Sequence, residues 1–356
     1  MQKYPAVNIY LDKIKENAKQ MKKICSDNSI KVSGVVKGSA GDIKIIEAFI
    51  NGGLTQLADS RIENLKKIKD TNFEVETLLL RLPDPNDAER TVKYADISLN
   101  SELKSMKSLS EAAKKINKKH KVIIMVDVGD LREGVMPEDL ENIIKQAINF
   151  SGIEVIGLGT NVGCYGGVLP TYKNTKKLVD LKEKLEKLLN IKLPVISGGN
   201  TATTVLFEKN ELPKGVNNFR IGEGIMQGTD ATHQRDLPGF NKQNITLSAP
   251  IIELKEKPSV PTGTIGYDAF GGKPSFEDKG IRLRAILKVG RQDVRINGLT
   301  PILNGVEIIG ASSDHLLLDV TDSEKDLKVG DNITFELGYG SMLSAMTSNY
   351  ISKKYI

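Results

Sequence analysis

The chain has 356 residues, 39% of them hydrophobic and 27% charged, which is enough apolar material for a large core and too long for one ordinary domain, so two domains are expected. Its longest apolar runs, such as Val122 to Val126, fall far short of the roughly 20 residues that cross a bilayer, and the opening MQKYPAVNIYLDKIKEN has no apolar signal core, so neither a membrane nor secretion by that route is expected. Lys and Arg exceed Asp and Glu only by 50 to 45, scattered along helix faces as at Lys114-Lys115 and Lys118-Lys119, and the only cysteines are Cys25 and Cys164; nucleic-acid binding, a disulfide framework and a zinc site are not indicated, and a reducing cytoplasm fits.

In chain order, residues 6–10 read as a short strand, and Asp12 is expected to cap the helix DKIKENAKQMKKI, whose Ile14, Met21 and Ile24 keep helical spacing. A rhythm then begins. Apolar, β-prone runs fall near 32–36, 54–58, 77–81, 96–99, 121–127, 153–160, 194–197 and 218–221. Most gaps between them read as helices: DIKIIEAFING, SRIENLKKIKD, SELKSMKSLSEAAKKINKK, EDLENIIKQAINF and YKNTKKLVDLKEKLEKLL. Continuous apolar strands alternating with amphipathic helices imply a parallel sheet covered on its outside. Eight of them in about 220 residues predict a (β/α)8 TIM-like barrel over residues 11–230. No Gly-x-Gly-x-x-Gly turn follows the first strand, which disfavours an open doubly wound sheet. From residue 231 to 356 the pattern changes to alternating runs, ITLSAPIIELK, IRLRAILKVG, GVEIIGA, HLLLDV and NITFELG, broken by Gly, Pro and Asp. These predict a second, mostly β domain to which strand 6–10 is added.

Barrels of this class carry their chemistry at the C-terminal ends of the strands. There the sequence places Lys37-Gly38, then Asp127, Gly129 and Arg132, then Thr160-Asn161 with Cys164 and Tyr165, then Ser197 to Thr201, then Arg220 to Gly224. The two glycine turns after strands seven and eight let backbone N–H groups approach an anion, and the Thr201 hydroxyl adds a donor. A lysine at a strand end beside two arginines suits Schiff-base chemistry if burial and neighbouring cations lower its pKa.

These segments resemble the fold-type III pyridoxal-phosphate enzymes, specifically alanine racemase and the clostridial-type alanine/ornithine racemases, over nearly the whole chain. VVKGSAGD resembles the cofactor-lysine segment, which implies Lys37 as the Schiff-base lysine of pyridoxal 5′-phosphate. VDVGDLREG implies Arg132 near the cofactor phenolic oxygen and the substrate carboxylate. GLGTNVGCYGG puts Asn161 where alanine racemase has a histidine against the pyridine ring. SGGNT implies Asn200 and Thr201 at the phosphate, and FRIGEGI implies Arg220 at the pyridine nitrogen with backbone N–H groups of Gly222 and Glu223 at the phosphate. TIGYDAFGG implies Tyr267 as the second base, and SNYISKKY implies Tyr350 as a further phosphate contact. The sequence departs from the family at Gly41-Asp42, where a tyrosine is absent, at Gly290-Arg291-Gln292-Asp293, and at Ser313-Asp314, where alanine racemase has a Met-Asp pair.

The resemblance implies a two-base racemase: Lys37 exchanges a Cα proton on one face of the amino acid and Tyr267 on the other. A guanidinium gives up no proton, so Arg220 would leave the ring nitrogen unprotonated and favour plain exchange at Cα over transamination. Asp314, and with it Arg291 and Asp293, are the candidate substrate-side residues. A distal ammonium facing Asp314 points to ornithine, with lysine and alanine, or a fold-type III amino-acid decarboxylase, as alternatives. The expected assembly is a homodimer with shared active sites, and no metal is called for.

Overall fold

The computed structural model describes residues 4–356, which fall into two compact units, Leu11–Lys242 and the residues up to Tyr10 with Gln243–Ile356. In chain order the elements of the first unit are α1 (Leu11–Asp27), β2 (Lys31–Val35), α2 (Ile43–Asn51), β3 (Gln56–Asp59), α3 (Ile62–Lys69), β4 (Glu76–Leu79), α4 (Ala88–Tyr94), β5 (Ile97–Asn100), α5 (Leu103–Lys115), β6 (His120–Met125), α6 (Leu140–Ala147), β7 (Ile153–Gly159), α7 (Tyr172–Leu189), β8 (Val195–Gly199), α8 (Val205–Glu208), β9 (Asn218–Ile221), α9 (Glu223–Met226) and a hairpin of β10 (Thr229–Asp230) and β11 (Arg235–Asp236), with β1 (Ala6–Ile9) belonging to the other unit. Strands β2 to β9 form a closed parallel barrel. Closure is made by β9 on β2, with Val32 opposite Phe219 and Gly34 opposite Ile221.

Helical spacing builds the outer layer. On α1 the buried Ile14, Ala18, Met21 and Cys25 recur every three or four residues and form one face. Inside, Val35, Ala58, Leu78, Ile97, Leu99, Ile123, Met125 and Ile156 pack into one apolar cluster, as the alternating layers of such a barrel require. Asp12 is not the cap: α1 starts one residue earlier, and Asp12 sits in its first turn 3.7 Å from Lys15. Helix α4 escaped the periodic reading because its seven residues carry only three buried positions, Ala88, Thr91 and Val92.

The first unit runs on to Lys242, so residues 231–242, read from sequence as part of the β-rich domain, stay with the barrel. The reason is a pair of long-range bonds to α1, in which Asn17 Nδ2 donates to the Asn241 carbonyl (2.9 Å) and the Asn241 N–H donates to Asn17 Oδ1 (2.7 Å).

The second unit is a mostly antiparallel sheet of β12 (Ile245–Pro258), β13 (Ile281–Leu287), β14 (Leu299–Pro301), β15 (Glu307–Ala311), β16 (Leu316–Asp319) and β17 (Asn332–Leu337), joined by α10 (Tyr339–Thr347) and β18 (Ser352–Tyr355). β12 serves three partners. Up to Pro250 it pairs with β17 and β1, and from Ile251 on it pairs with β13, in a ladder that shifts register between Ile251 and Glu253. Among the described residues no helix is long and apolar enough to cross a membrane.

Candidate active site

Lys37 stands just past the end of β2, in a single 3-10 turn, and the chain reverses at once through Ala40, whose φ of 54° is left-handed. Asp42 then caps α2, accepting from the N–H groups of Lys44 (3.1 Å) and Ile45 (3.3 Å). The Gly41-Asp42 departure therefore ends the turn that fixes Lys37. Lys37 is half-buried, and among the described residues nothing bonds or ion-pairs with its ammonium. Its pKa is lowered, chiefly by burial, with Arg132 and Arg220 pushing the same way and Cys164 and Asp59 opposing. One electrostatic field thus joins residues from the ends of β2, β3, β6, β7 and β9.

Arg220 is buried at the end of β9. Its guanidinium donates to the Ser197 carbonyl (3.0 Å), to Ser197 Oγ and to the Thr160 carbonyl, spanning three strands. Burial lowers its pKa to about 10, with Glu133 and Arg132 as opposing lesser influences, so it remains a cation at neutral pH. Gly222 follows, where an added Cβ would lie 2.9 Å from the Val35 carbonyl oxygen. Glycine is required there for β9 to end so close to β2, beside Lys37. The Gly222 and Glu223 amides open α9, in the first turn where helix N–H groups lack internal acceptors. The Glu223 carboxylate faces away from them, accepting from Thr229 Oγ1 (2.9 Å) and the Ala231 N–H (2.8 Å). Thr201 Oγ1 accepts from the Gly224 N–H (3.2 Å), which ties the two glycine turns together and leaves the threonine proton to donate.

Asn200 behaves differently from the expectation. Its two amide N–H groups go to the Val162 carbonyl (2.7 Å) and Asn161 Oδ1 (3.3 Å), and its oxygen caps the Ala202 N–H (2.9 Å). It positions the turn that presents Thr201, and both its donors are spent on the protein. Asn161 is brought to the site by that same contact. Arg132 is exposed and engaged with the neighbouring Glu133 carboxylate and with Cys164 Sγ.

Two residues that the sequence reading did not single out organise these loops. Buried Asp130 accepts from the backbone N–H groups of Tyr165 (3.1 Å) and Val168 (3.4 Å), joining the loop after β6 to the loop after β7. Asp59, at the end of β3, accepts from the Arg61 N–H (2.8 Å) and Asn64 Nδ2 (3.1 Å), and burial raises its pKa to about 6. A carboxylate ending an apolar strand, as in QLAD, was the available signal.

The remaining expected residues lie in the second unit. Tyr267 is exposed, in the irregular segment between β12 and β13, and its phenol has no partner among the described residues. Arg291 stacks over Phe270, 4.3 Å from the ring centroid, and donates to the Ala311 carbonyl (2.9 Å). Asp314 lies at the β15–β16 turn and accepts from Gln292 Nε2 (2.5 Å). Tyr267, Arg291 and Asp314 are therefore gathered on neighbouring loops of one unit. Asp293 is not gathered with them. It is buried and closes its own turn by accepting from the Gly290 N–H (3.0 Å). Tyr350 is exposed, in the turn after α10, apart from the contacts that join those loops.

A closed barrel with a half-buried lysine of lowered pKa, a buried arginine and two linked glycine turns at its C-terminal end defines the class. The family profile described as alanine racemase, N-terminal domain matches residues 9–229, and the chain belongs to that family. More particularly, it is 47% identical to the ornithine racemase of Acetoanaerobium sticklandii, over 99% of this chain and all of that one. It is 41% identical to the lysine racemase of Thermotoga maritima, over 99% of this chain and 98% of that one. Among solved structures, an alanine racemase from D-cycloserine-producing Streptomyces lavendulae superposes with a TM-score of 0.77 at 15% identity, covering 100% of this chain and 98% of that one, a likeness of fold.

Proposed function

We propose that this protein racemises a basic amino acid, ornithine first and lysine second, with pyridoxal 5′-phosphate held on Lys37. The observation that carries the reading is Lys37 itself, without a partner among the described residues and lowered in pKa by burial beside Arg132 and Arg220. The relatives named ornithine and lysine racemase supply the substrate class.

The donor set fits the cofactor. Thr201 and the Gly222 and Glu223 amides suit a phosphate, and a buried cation that yields no proton suits the ring nitrogen. When bound, the cofactor makes the substrate's α-proton acidic by drawing electrons from that carbon. Lys37 Nζ then holds or returns that proton on one face, helped by the lowered pKa that frees its lone pair. Tyr267 Oη serves the other face. Arg132 orients the substrate carboxylate by exchanging Glu133 for it, and Asp314 meets the distal ammonium. Asn200 positions Thr201. Asp293, committed to its turn, is left out of the substrate contacts, and Tyr350 is retained as a phosphate donor.

The assembly that suits these roles is a homodimer in which Tyr267 of the partner subunit serves Lys37, in a cytoplasmic setting. Mixing inactive Lys37→Ala chains with inactive Tyr267→Phe chains should then restore activity, because one site of each mixed dimer carries neither lesion. No recovery despite subunit exchange would place both bases on one chain.

The central test is to incubate purified protein and pyridoxal 5′-phosphate with each enantiomer of ornithine, lysine and alanine, followed by chiral chromatography. Ornithine should give the highest kcat/KM, and borohydride should fix the cofactor on Lys37. Attachment at another lysine, a preference for alanine, or carbon dioxide release without racemisation would overturn the reading.

A further inference from the structure

The barrel lumen is half apolar and half polar, and the polar half forms a single line. Arg220 donates to Ser197 Oγ. Ser197 Oγ donates to Asn218 Oδ1 (2.5 Å). Asn218 Nδ2 donates to Ser33 Oγ (2.9 Å). Ser33 Oγ donates to Gln56 Oε1, and Gln56 Nε2 donates to Glu76 Oε2 (2.7 Å). Glu76 also accepts from Lys31 (2.8 Å) and Lys121 (3.3 Å) at the N-terminal mouth, where a cavity of about 570 Å3 opens. Asn218 on β9 lies 3.4 Å from Gln56 on β3, across β2, which places these side chains inside the barrel.

The direction of every bond is forced. A guanidinium only donates and a carboxylate only accepts. Burial pushes the Glu76 pKa up, but Lys31, Gln56 and Lys121 outweigh it and hold the group below the usual carboxylate range, so it is ionised. Asn218 Nδ2 also lies 3.3 Å from the Lys31 carbonyl, an acceptor, which fixes the orientation of that amide. With both ends set, each hydroxyl has one role toward Arg220 and one toward Glu76.

Ser33, Gln56, Ser197, Asn218 and Arg220 are all buried. Such positions usually hold Val, Ile or Leu, and polar groups there cost stability unless fully paired. No carboxylate contacts Arg220 directly among the described residues; its partners are two carbonyls and one hydroxyl. The aligned chain turns the negative end of each dipole toward the guanidinium and strengthens with each link.

We propose that Ser197, Asn218, Ser33, Gln56 and Glu76 are positioning residues for Arg220, a hydrogen-bonded line that aims its guanidinium from the opposite mouth of the barrel. The consequence for the cofactor rests on the reading that Arg220 meets the cofactor ring. The geometry of Arg220 itself does not depend on that reading.

The test uses Asn218→Leu and Asn218→Asp, each crystallised without cofactor and each titrated with pyridoxal 5′-phosphate while the visible band is followed. Leucine removes the acceptor facing Ser197, whereas aspartate keeps an oxygen there and, though it gives up the donor to Ser33, Gln56 and the Lys31 carbonyl, brings to the link beside Ser197 the carboxylate charge that the line otherwise relays from Glu76. In Asn218→Leu the guanidinium should leave Ser197 Oγ, the dissociation constant should rise about tenfold, as for a lost bond to a charged group, and the visible band should move. In Asn218→Asp the guanidinium should stay, with the band unmoved and the affinity within about threefold of the parent. An unmoved Arg220 and band in a folded Asn218→Leu protein would overturn the proposal. If that variant does not fold, Gln56→Leu applies the same test one link further away, and an unmoved Arg220 there is equally fatal. A parent protein that takes no cofactor at Lys37, with Arg220 displaced in Asn218→Leu, refutes the functional reading alone. A racemase whose Arg220 ignores Asn218→Leu refutes the positioning line alone.

Discussion

The loop after β6 and the segment between β12 and β13 each carry a residue assigned to the reaction, Arg132 and Tyr267, and they are held in opposite ways. Residues 127–135 are bonded at nearly every step. Asp127 accepts from the Gly129 (2.7 Å) and Leu131 (3.3 Å) N–H groups, Val135 returns to the Met125 carbonyl (2.8 Å), and Asp130 ties the loop to its neighbour. Gly134, at φ 140°, is packed so closely that an added Cβ would lie 2.5 Å from the Asp127 nitrogen. Residues 259–280 are closed at their base, where the Ser259 N–H meets the Gly280 carbonyl (2.9 Å). Beyond that the anchors are the Asp268 turn and the stacking of Arg291 on Phe270. Groups that hold a cofactor gain from being in place beforehand, because no ordering cost is then met on binding. A group that meets only the substrate's proton can arrive on a looser loop.

Tyr267→Phe breaks the looser side and has the largest expected effect. Turnover should fall about 10²- to 10⁴-fold, the usual range for losing a general acid or base, more for one enantiomer than the other, while cofactor absorbance is unchanged. Initial rates from pure L- and D-ornithine measure it, and normal rates in both directions would remove the tyrosine from the mechanism.

Asp314→Asn probes the same loops more gently. Removing the charge should lower kcat/KM for ornithine about tenfold and leave alanine within about twofold, since only ornithine carries the ammonium that forms a charge-assisted bond. An equal loss on both substrates would show that Asp314 shapes the loop instead of reading the substrate.

On the tightly bonded side, Asp130→Ala should cost about 1 kcal/mol of stability by leaving the Tyr165 and Val168 N–H groups without their acceptor. It should also weaken cofactor binding by loosening both loops. Denaturant unfolding and cofactor titration read the two effects; stability lost with affinity intact would mean that the tie does not preorganise the site.

The smallest effect is on pH dependence. Burial raises the Glu223 pKa to about 7, with Thr229 and Ala231 holding it down and Asp230 adding to the rise. A carboxyl whose folded pKa is raised contributes stability that is fully present below its unfolded value, about 4.3, and lost as pH rises through about 7. Glu223→Gln keeps the accepting oxygen without the charge. Between pH 5 and 8 its Tm should fall less than that of the parent, by about 2 °C for roughly 1 kcal/mol; parallel Tm profiles would deny Glu223 its titration.

The eight strands and most of their helices were legible because burial on both faces of a parallel strand leaves a continuous apolar run, and α7 was read to its exposed ends as Tyr172–Leu189. The placing of Lys37, Thr201 and Arg220 at strand ends was legible because the apolar runs that precede them were. Helix α10 was not, since YGSMLSAMT mixes small and apolar residues without a polar face to mark its period. Nor was the spending of Asn200 on the neighbouring loop and of Asp293 on its own turn, which depends on acceptors and donors that only the fold brings near. The clearest case is the line from Glu76 to Arg220. Local periodicity assigns all of its residues except Glu76 to a strand, but its bonds join positions 33 and 218, 56 and 76, and 197 and 220. Sequence determined the alternation that turns these side chains inward; only closure of β9 onto β2 decided that they would meet.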